Sequence, residues 1–150
     1  MVEENRRLAR RWFEEVWNAR RAESIAELVR HDAVGHVEGG PDMHGIAPWQ
    51  DWQRTMLAAF PDLHVTIEQL VAEGDYVVVR WRFDATHAGR ALGLEPTNQR
   101  VTVRGTTWLR FADRRIAEGW DTWNRDGLFA QLGLVPLGLA STRSTVAGSS

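Results

Sequence analysis

Tyr76-Val77-Val78-Val79-Arg80-Trp81-Arg82-Phe83-Asp84-Ala85-Thr86-His87 sets Val77, Val79, Trp81 and Phe83 at every second position, with Arg80, Arg82 and Asp84 between them. A strand sends alternate side chains to opposite faces, so the stretch reads as a strand whose odd-numbered face is buried. His87 shares that parity. Upstream, across 62–71, Leu63, Val65 and Ile67 alternate with His64, Thr66 and Glu68, and Glu73-Gly74-Asp75 makes the hairpin turn. Downstream, a glycine-bearing loop from His87 to Gln99 leads to a third strand, Val101–Phe111. It turns through Ala112-Asp113-Arg114-Arg115 into a fourth, Ile116–Asn124. Counted through that turn, Phe111 faces Ile116, Leu109 faces Glu118, Thr107 faces Trp120, Gly105 faces Thr122 and Val103 faces Asn124. This register turns Trp120, Thr122 and Asn124 inward. Asp121 and Trp123 then look outward beside Arg104, Thr106, Trp108 and Arg110.

Before Pro61 the apolar period is helical. Leu8, Ala9, Trp12, Phe13 and Val16 form one stripe over residues 3–19, and Ile25, Leu28 and Val29 another over Ala22–Arg30. A short extended piece, Ala33–Glu38, ends at Gly39-Gly40-Pro41-Asp42. A third helix from Ile46 carries Trp49, Trp52, Met56, Leu57 and Phe60. One or two helical turns are expected over 126–132, capped by Asp126, and a flexible tail over 136–150. Helices followed by an antiparallel meander give an α+β domain. A strongly curved sheet covered by so few helices leaves a hollow, which is where small molecules bind.

At 150 residues the chain makes one domain with a sizeable core. It has no Cys, which removes thiol chemistry, and its basic residues are all Arg, which removes Schiff-base and P-loop lysine chemistry. A formal charge of -2 gives no reason to expect nucleic acid. Eight Trp against one Tyr point to broad apolar walls. The opening Met1–Trp12 has no apolar core of a secretory signal, and no window is apolar enough to span a membrane, so a cytoplasmic protein is expected.

Several stretches resemble a known family in order and spacing. They are Ala59-Phe60-Pro61-Asp62-Leu63, Ala72-Glu73-Gly74-Asp75 followed by Val77-Val78-Val79-Arg80-Trp81, and Thr86-His87-Ala88-Gly89. Further on come Gly93-Leu94-Glu95-Pro96-Thr97-Asn98, Arg110-Phe111, Ile116 with Glu118 and Trp120, and Gln131-Leu132-Gly133. The pattern is similar to the SnoaL-like polyketide cyclase (ester cyclase) family of the nuclear transport factor 2-like fold. It covers a domain of residues 1–135. The resemblance implies a cone-shaped pocket, a homodimer, and cofactor-independent acid–base chemistry on a hydrophobic carbonyl compound, typically aldol ring closure or enolisation. In the family's spacing its acid–base Asp falls on Asn124 here, whose amide cannot transfer a proton but can donate to an oxyanion.

Such chemistry needs a base and a donor for negative oxygen. The candidates are His87, His36 with Glu38 as its orienting carboxylate, and Asn124 as the donor. Trp52, Met56, Phe83, Trp120 and Thr122 would bind a hydrophobic or aromatic substrate. No cofactor is expected, and no metal, because no two His stand at helical ligand spacing. Two alternatives stay open: a non-catalytic binding protein, and an epoxide hydrolase or ketosteroid isomerase-like enzyme. The epoxide reading would use Arg82-Phe83-Asp84, and needs that face to look inward. Trp108, Trp123 and the arginines of the opposite face are expected to make a homodimer contact.

Overall fold

In the computed structural model, which describes residues 1–90 and 93–134, the N-terminal apolar stripe winds in two ways. Helix α1 (Val2–Arg11) buries Leu8 and Ala9 and continues as a π-helical stretch, Trp12–Asn18. At 100° per residue an α-helix would set Trp17 about 140° around from Trp12. The wider i→i+5 winding brings both to one side. The Gln53 amide donates to the Val16 carbonyl at 2.7 Å inside the core, which satisfies a backbone group of this irregular turn. Helix α2 (Glu23–Leu28) then gives way to strand β1 (Val29–Val37), which starts four residues before the expected extended piece. The β-branched Val29 is the first strand residue rather than a helical one.

A two-residue strand β2 (Met43–His44) precedes helix α3 (Ala47–Ala59), which carries Pro48 in its first turn and stops before Pro61. The meander follows as β3 (His64–Glu73), β4 (Tyr76–Thr86), β5 (Arg100–Ala112) and β6 (Arg115–Trp123), and helix α4 (Arg125–Gln131) closes the described chain. The tail expected over 136–150 lies outside the described residues. The strands form one sheet in the order β2-β1-β6-β5-β4-β3, antiparallel throughout except for the parallel pair β1–β6. The fold is α+β, with the N-terminal helices against the concave face of an unclosed, curved sheet. On β4 the parity reading holds: Val77, Val79, Trp81, Phe83, Ala85 and His87 are all buried.

Curvature comes from bulges. Ile67 pairs with Trp81 and Gln69 with Arg80, so Glu68 is an extra residue on β3. Beyond it the alternation reverses: Leu70 and Ala72 turn toward the core and Val71 is left 64% exposed. The β3 edge is partly closed by Asn18, which donates to the Val65 carbonyl at 2.9 Å and accepts from its N–H at 2.7 Å. Among the described residues, no helix is long and apolar enough to cross a membrane.

Candidate active site

A second bulge decides what faces the hollow. The β5–β6 hairpin begins in the expected register, Phe111 with Ile116, but the next pair is Arg110 with Glu118. Ala117 is therefore an inserted residue, and every β6 side chain beyond it exchanges faces. Thr107 stands opposite Asp121, Gly105 opposite Trp123, and Trp108 opposite Trp120. This corrects the expected orientation: Asp121 and Trp123 line the inside, whereas Trp120 and Thr122 stand on the outer face beside Trp108 and Thr106. Asn124 leaves the strand altogether. Its side chain accepts the Gly127 N–H at 2.8 Å and caps α4, the part expected of Asp126.

The cavity lies between the π-helical stretch, α3 and the concave sheet. Trp17, Trp52, Met56, Trp81, Phe83 and Trp123 are among its walls, and its polar lining is Thr107 and Asp121. With its mouth the funnel holds about 490 Å³ of space between atoms, of which the cavity proper is about 60 Å³. A second small hollow of about 20 Å³ reaches the same two polar residues from the side of Ala33, Trp49 and Leu109. The expected wall residues Trp52, Met56 and Phe83 are thus in place. Trp17, Trp81, Trp123, Thr107 and Asp121 were not foreseen. The π-helical turn and the bulge that place Trp17, Trp123 and Asp121 leave no mark in the apolar pattern. Trp81 shares the inward parity of Val77, Val79 and Phe83.

Asp121 is connected through one short chain of donors. The Trp81 indole N–H donates to Thr107 Oγ1 at 2.8 Å, and the Thr107 hydroxyl donates to Asp121 Oδ1 at 2.5 Å. Trp81 reaches Thr107 because its cross-strand partner is Gly105. A Cβ there would stand 2.4 Å from the indole ring. Apolar walls crowd the half-buried carboxyl, and this desolvation pushes its pKa up to about 6 against the opposing pull of the Thr107 hydrogen bond.

The other candidates lie elsewhere. His87 is fully buried, but its Nδ1 accepts the Thr97 N–H at 3.2 Å, with the Thr97 hydroxyl 3.0 Å from the same nitrogen. Its backbone pairs with Asn98 and Gln99, and its ring packs 5.5 Å from Phe60. Nδ1 as acceptor leaves the proton on Nε2, which has no partner among the described residues, and burial pulls the pKa down. It closes the neck of the loop and is not part of the lining. His36 lies on the outer face, stacked 5.4 Å from Trp120. Its ring nitrogens are 2.7 Å from Glu118 and 2.9 Å from Asp42, so its carboxylate partners are these and not Glu38. Both carboxylates favour the charged ring, Glu118 most, and raise the pKa. Glu38 sits at a shallow outer groove with Trp123, Asn124 and Arg125. Arg82 and Asp84 also face outward, 3.0 Å apart, so the pair the epoxide reading needs is on the wrong side of the sheet. Among the described residues, no three His, Asp or Glu side chains converge to hold a metal ion.

Solved structures share this architecture. AclR from Streptomyces galilaeus, a candidate hydroxylase, is 29% identical, with a TM-score of 0.80 over 99% of this chain and 95% of that one. IdmH from Streptomyces antibioticus, a candidate polyketide cyclase, is 28% identical, with a TM-score of 0.76 over 87% and 99%. A candidate SnoaL-like polyketide cyclase from Jannaschia sp. CCS1 is 24% identical with a TM-score of 0.82 over 90% and 95%, a likeness of fold. No curated protein matches the sequence. The family model of the SnoaL-like polyketide cyclases matches residues 7–132, and the chain belongs to that family.

Proposed function

We propose that the protein is a cofactor-independent acid–base enzyme acting on a neutral, hydrophobic carbonyl compound, with Asp121 as its proton carrier. One observation carries the reading: a single carboxyl, its pKa pushed up to about 6, in a cavity whose described lining is otherwise apolar apart from Thr107. A base of that strength is largely ionised at neutral pH and close enough to it to give its proton back. As carboxylate, Asp121 takes a proton from the carbon beside a carbonyl; the C–H electrons become the enolate. The enolate carbon then bonds to a second carbonyl carbon of the same molecule, and the alkoxide produced recovers the proton from Asp121. The described lining carries no basic side chain, which disfavours an anionic substrate and agrees with an ester or ketone.

In this reading Asp121 does the work expected of His87 and His36. Asn124 is a helix cap, and Trp52, Met56 and Phe83 remain the walls. The family relation and the likeness to IdmH support the cyclase class. The outer face, with Trp108 49% exposed beside Trp120, supports a homodimer, which light scattering would report as twice 17.0 kDa.

The test is exchange of the α-hydrogen for solvent deuterium across a panel of neutral aromatic ketones and β-ketoesters. Native protein is expected to accelerate exchange in at least one compound, and Asp121→Asn to lose that by about 10²- to 10⁴-fold. Equal exchange in both would overturn the assignment. The likeness to AclR favours a second reading, hydroxylation, which oxygen uptake with the same panel would detect.

A further inference from the structure

We propose that Trp81 and Thr107 form a positioning relay for Asp121, and that Gly105 is the cradle that allows it. The relay concerns the same carboxyl as the proposed enzymatic reading and rests on it only for its catalytic meaning.

A threonine hydroxyl has one proton and can point it either way. Here the direction is settled by Trp81, because an indole nitrogen only donates. With that N–H 2.8 Å from Oγ1, the Thr107 proton is left for Asp121. One carboxyl oxygen, Oδ1, is thereby occupied by a fixed donor. Among the described residues no hydrogen bond reaches Oδ2, and the carboxyl is part of the cavity lining. The relay therefore presents one chosen oxygen to whatever enters and keeps the carboxyl plane from turning. Thr107 is buried with 4% exposure, so water does not compete for its hydroxyl. The cradle is as specific. Trp81 and Gly105 are direct partners across β4–β5, and the indole occupies the space a Cβ at Gly105 would need. Any larger residue there pushes the indole off Thr107.

Three effects separate the relay from mere packing. The readout is the Asp121 titration, followed by carbon NMR of protein labelled at Asp carboxyls, with Asp121→Asn identifying the signal. Thr107→Val keeps shape and removes the hydroxyl. It is expected to raise the Asp121 pKa by about one pH unit, because the donor that favours the charged form is gone. Thr107→Ser restores the native value. Trp81→Phe frees the Thr107 proton to point elsewhere and raises the pKa by less than Thr107→Val does. A titration unchanged in Thr107→Val, or a Thr107→Ser shift as large as that of valine, overturns the relay. A titration unchanged in Trp81→Phe overturns the part given to Trp81. None of these readings needs a substrate. If the titrations shift as stated while no compound exchanges its α-hydrogen, the relay stands and the enzymatic reading falls.

Discussion

Two aspartates show what the two faces of this sheet do to the same chemical group. Asp84 on the outer face accepts the Thr102 hydroxyl at 2.6 Å, and Asp121 on the inner face accepts the Thr107 hydroxyl at 2.5 Å. Yet Asp84 has its pKa held down, by that hydrogen bond first and by Arg82 beside it, while Asp121 has its pKa pushed up to about 6. The hydrogen bonds are alike; the surroundings are not. Outside, Arg82 and solvent answer the charge. Inside, indole and phenyl walls do not, and desolvation outweighs the hydroxyl. A titratable group usable near neutral pH is made here by what is withheld from it.

Substitution can break the contrast from either side. The largest effect is expected from Asp121→Asn. A folded pKa of about 6 against an unfolded value near 3.9 means the neutral carboxyl is the form the fold prefers. That contribution is present below about pH 4 and is lost as pH rises through about 6. The amide should therefore raise unfolding free energy at pH 8 by at most about 3 kcal/mol and do nothing at pH 3.5, read by urea titration at both pH values. Native protein as stable as the variant at pH 8 would contradict a desolvated carboxyl.

Asp84→Asn should have the opposite sign and a smaller size. The lowered pKa gives stability that is present above the unfolded value and lost as pH falls through the folded one. The loss at pH 7 is expected to be about 0.5–1 kcal/mol, since the group is partly solvated, and should vanish in acid. His36→Gln sharpens the comparison on the outer face alone. Its raised pKa stabilises the fold below about pH 6.5, and the benefit disappears as pH rises through the folded value. The difference in Tm from native protein should be largest near pH 6, worth a few tenths of a kcal/mol, and gone by about pH 9. A difference independent of pH would show that stacking on Trp120, not the two carboxylates, is what His36 contributes.

How far the sequence could be read follows from the same ladders. Strand β4 is regular, so alternation alone puts Val77, Val79, Trp81, Phe83, Ala85 and His87 on the buried face. Strands β3 and β6 each carry one unpaired residue, Glu68 and Ala117, and neither is a glycine or proline that would advertise it. Past Ala117 the parity argument assigned Trp120, Thr122, Asp121 and Trp123 to the wrong faces for one shared reason. Trp17 escaped because the periodicity assumed an α-helix where the backbone bonds i→i+5. For His36, the partners that settle its role are a loop residue, Asp42, and a residue 82 positions away, Glu118, a pairing no local pattern contains. His87 was correctly placed as buried, but parity says nothing of the loop amide that claims its Nδ1.

The single unpaired alanine on β6 carries a lesson for anyone wishing to remodel this chamber. Excising it would leave Asp121 opposite Thr107 and merely straighten the strand; drawing it into the ladder opposite Arg110 would instead trade Asp121 and Trp123 for Trp120 and Thr122 in one step, with composition untouched. A bulge kept or lost thus serves as a selector between two alternative interiors already written into the same strand.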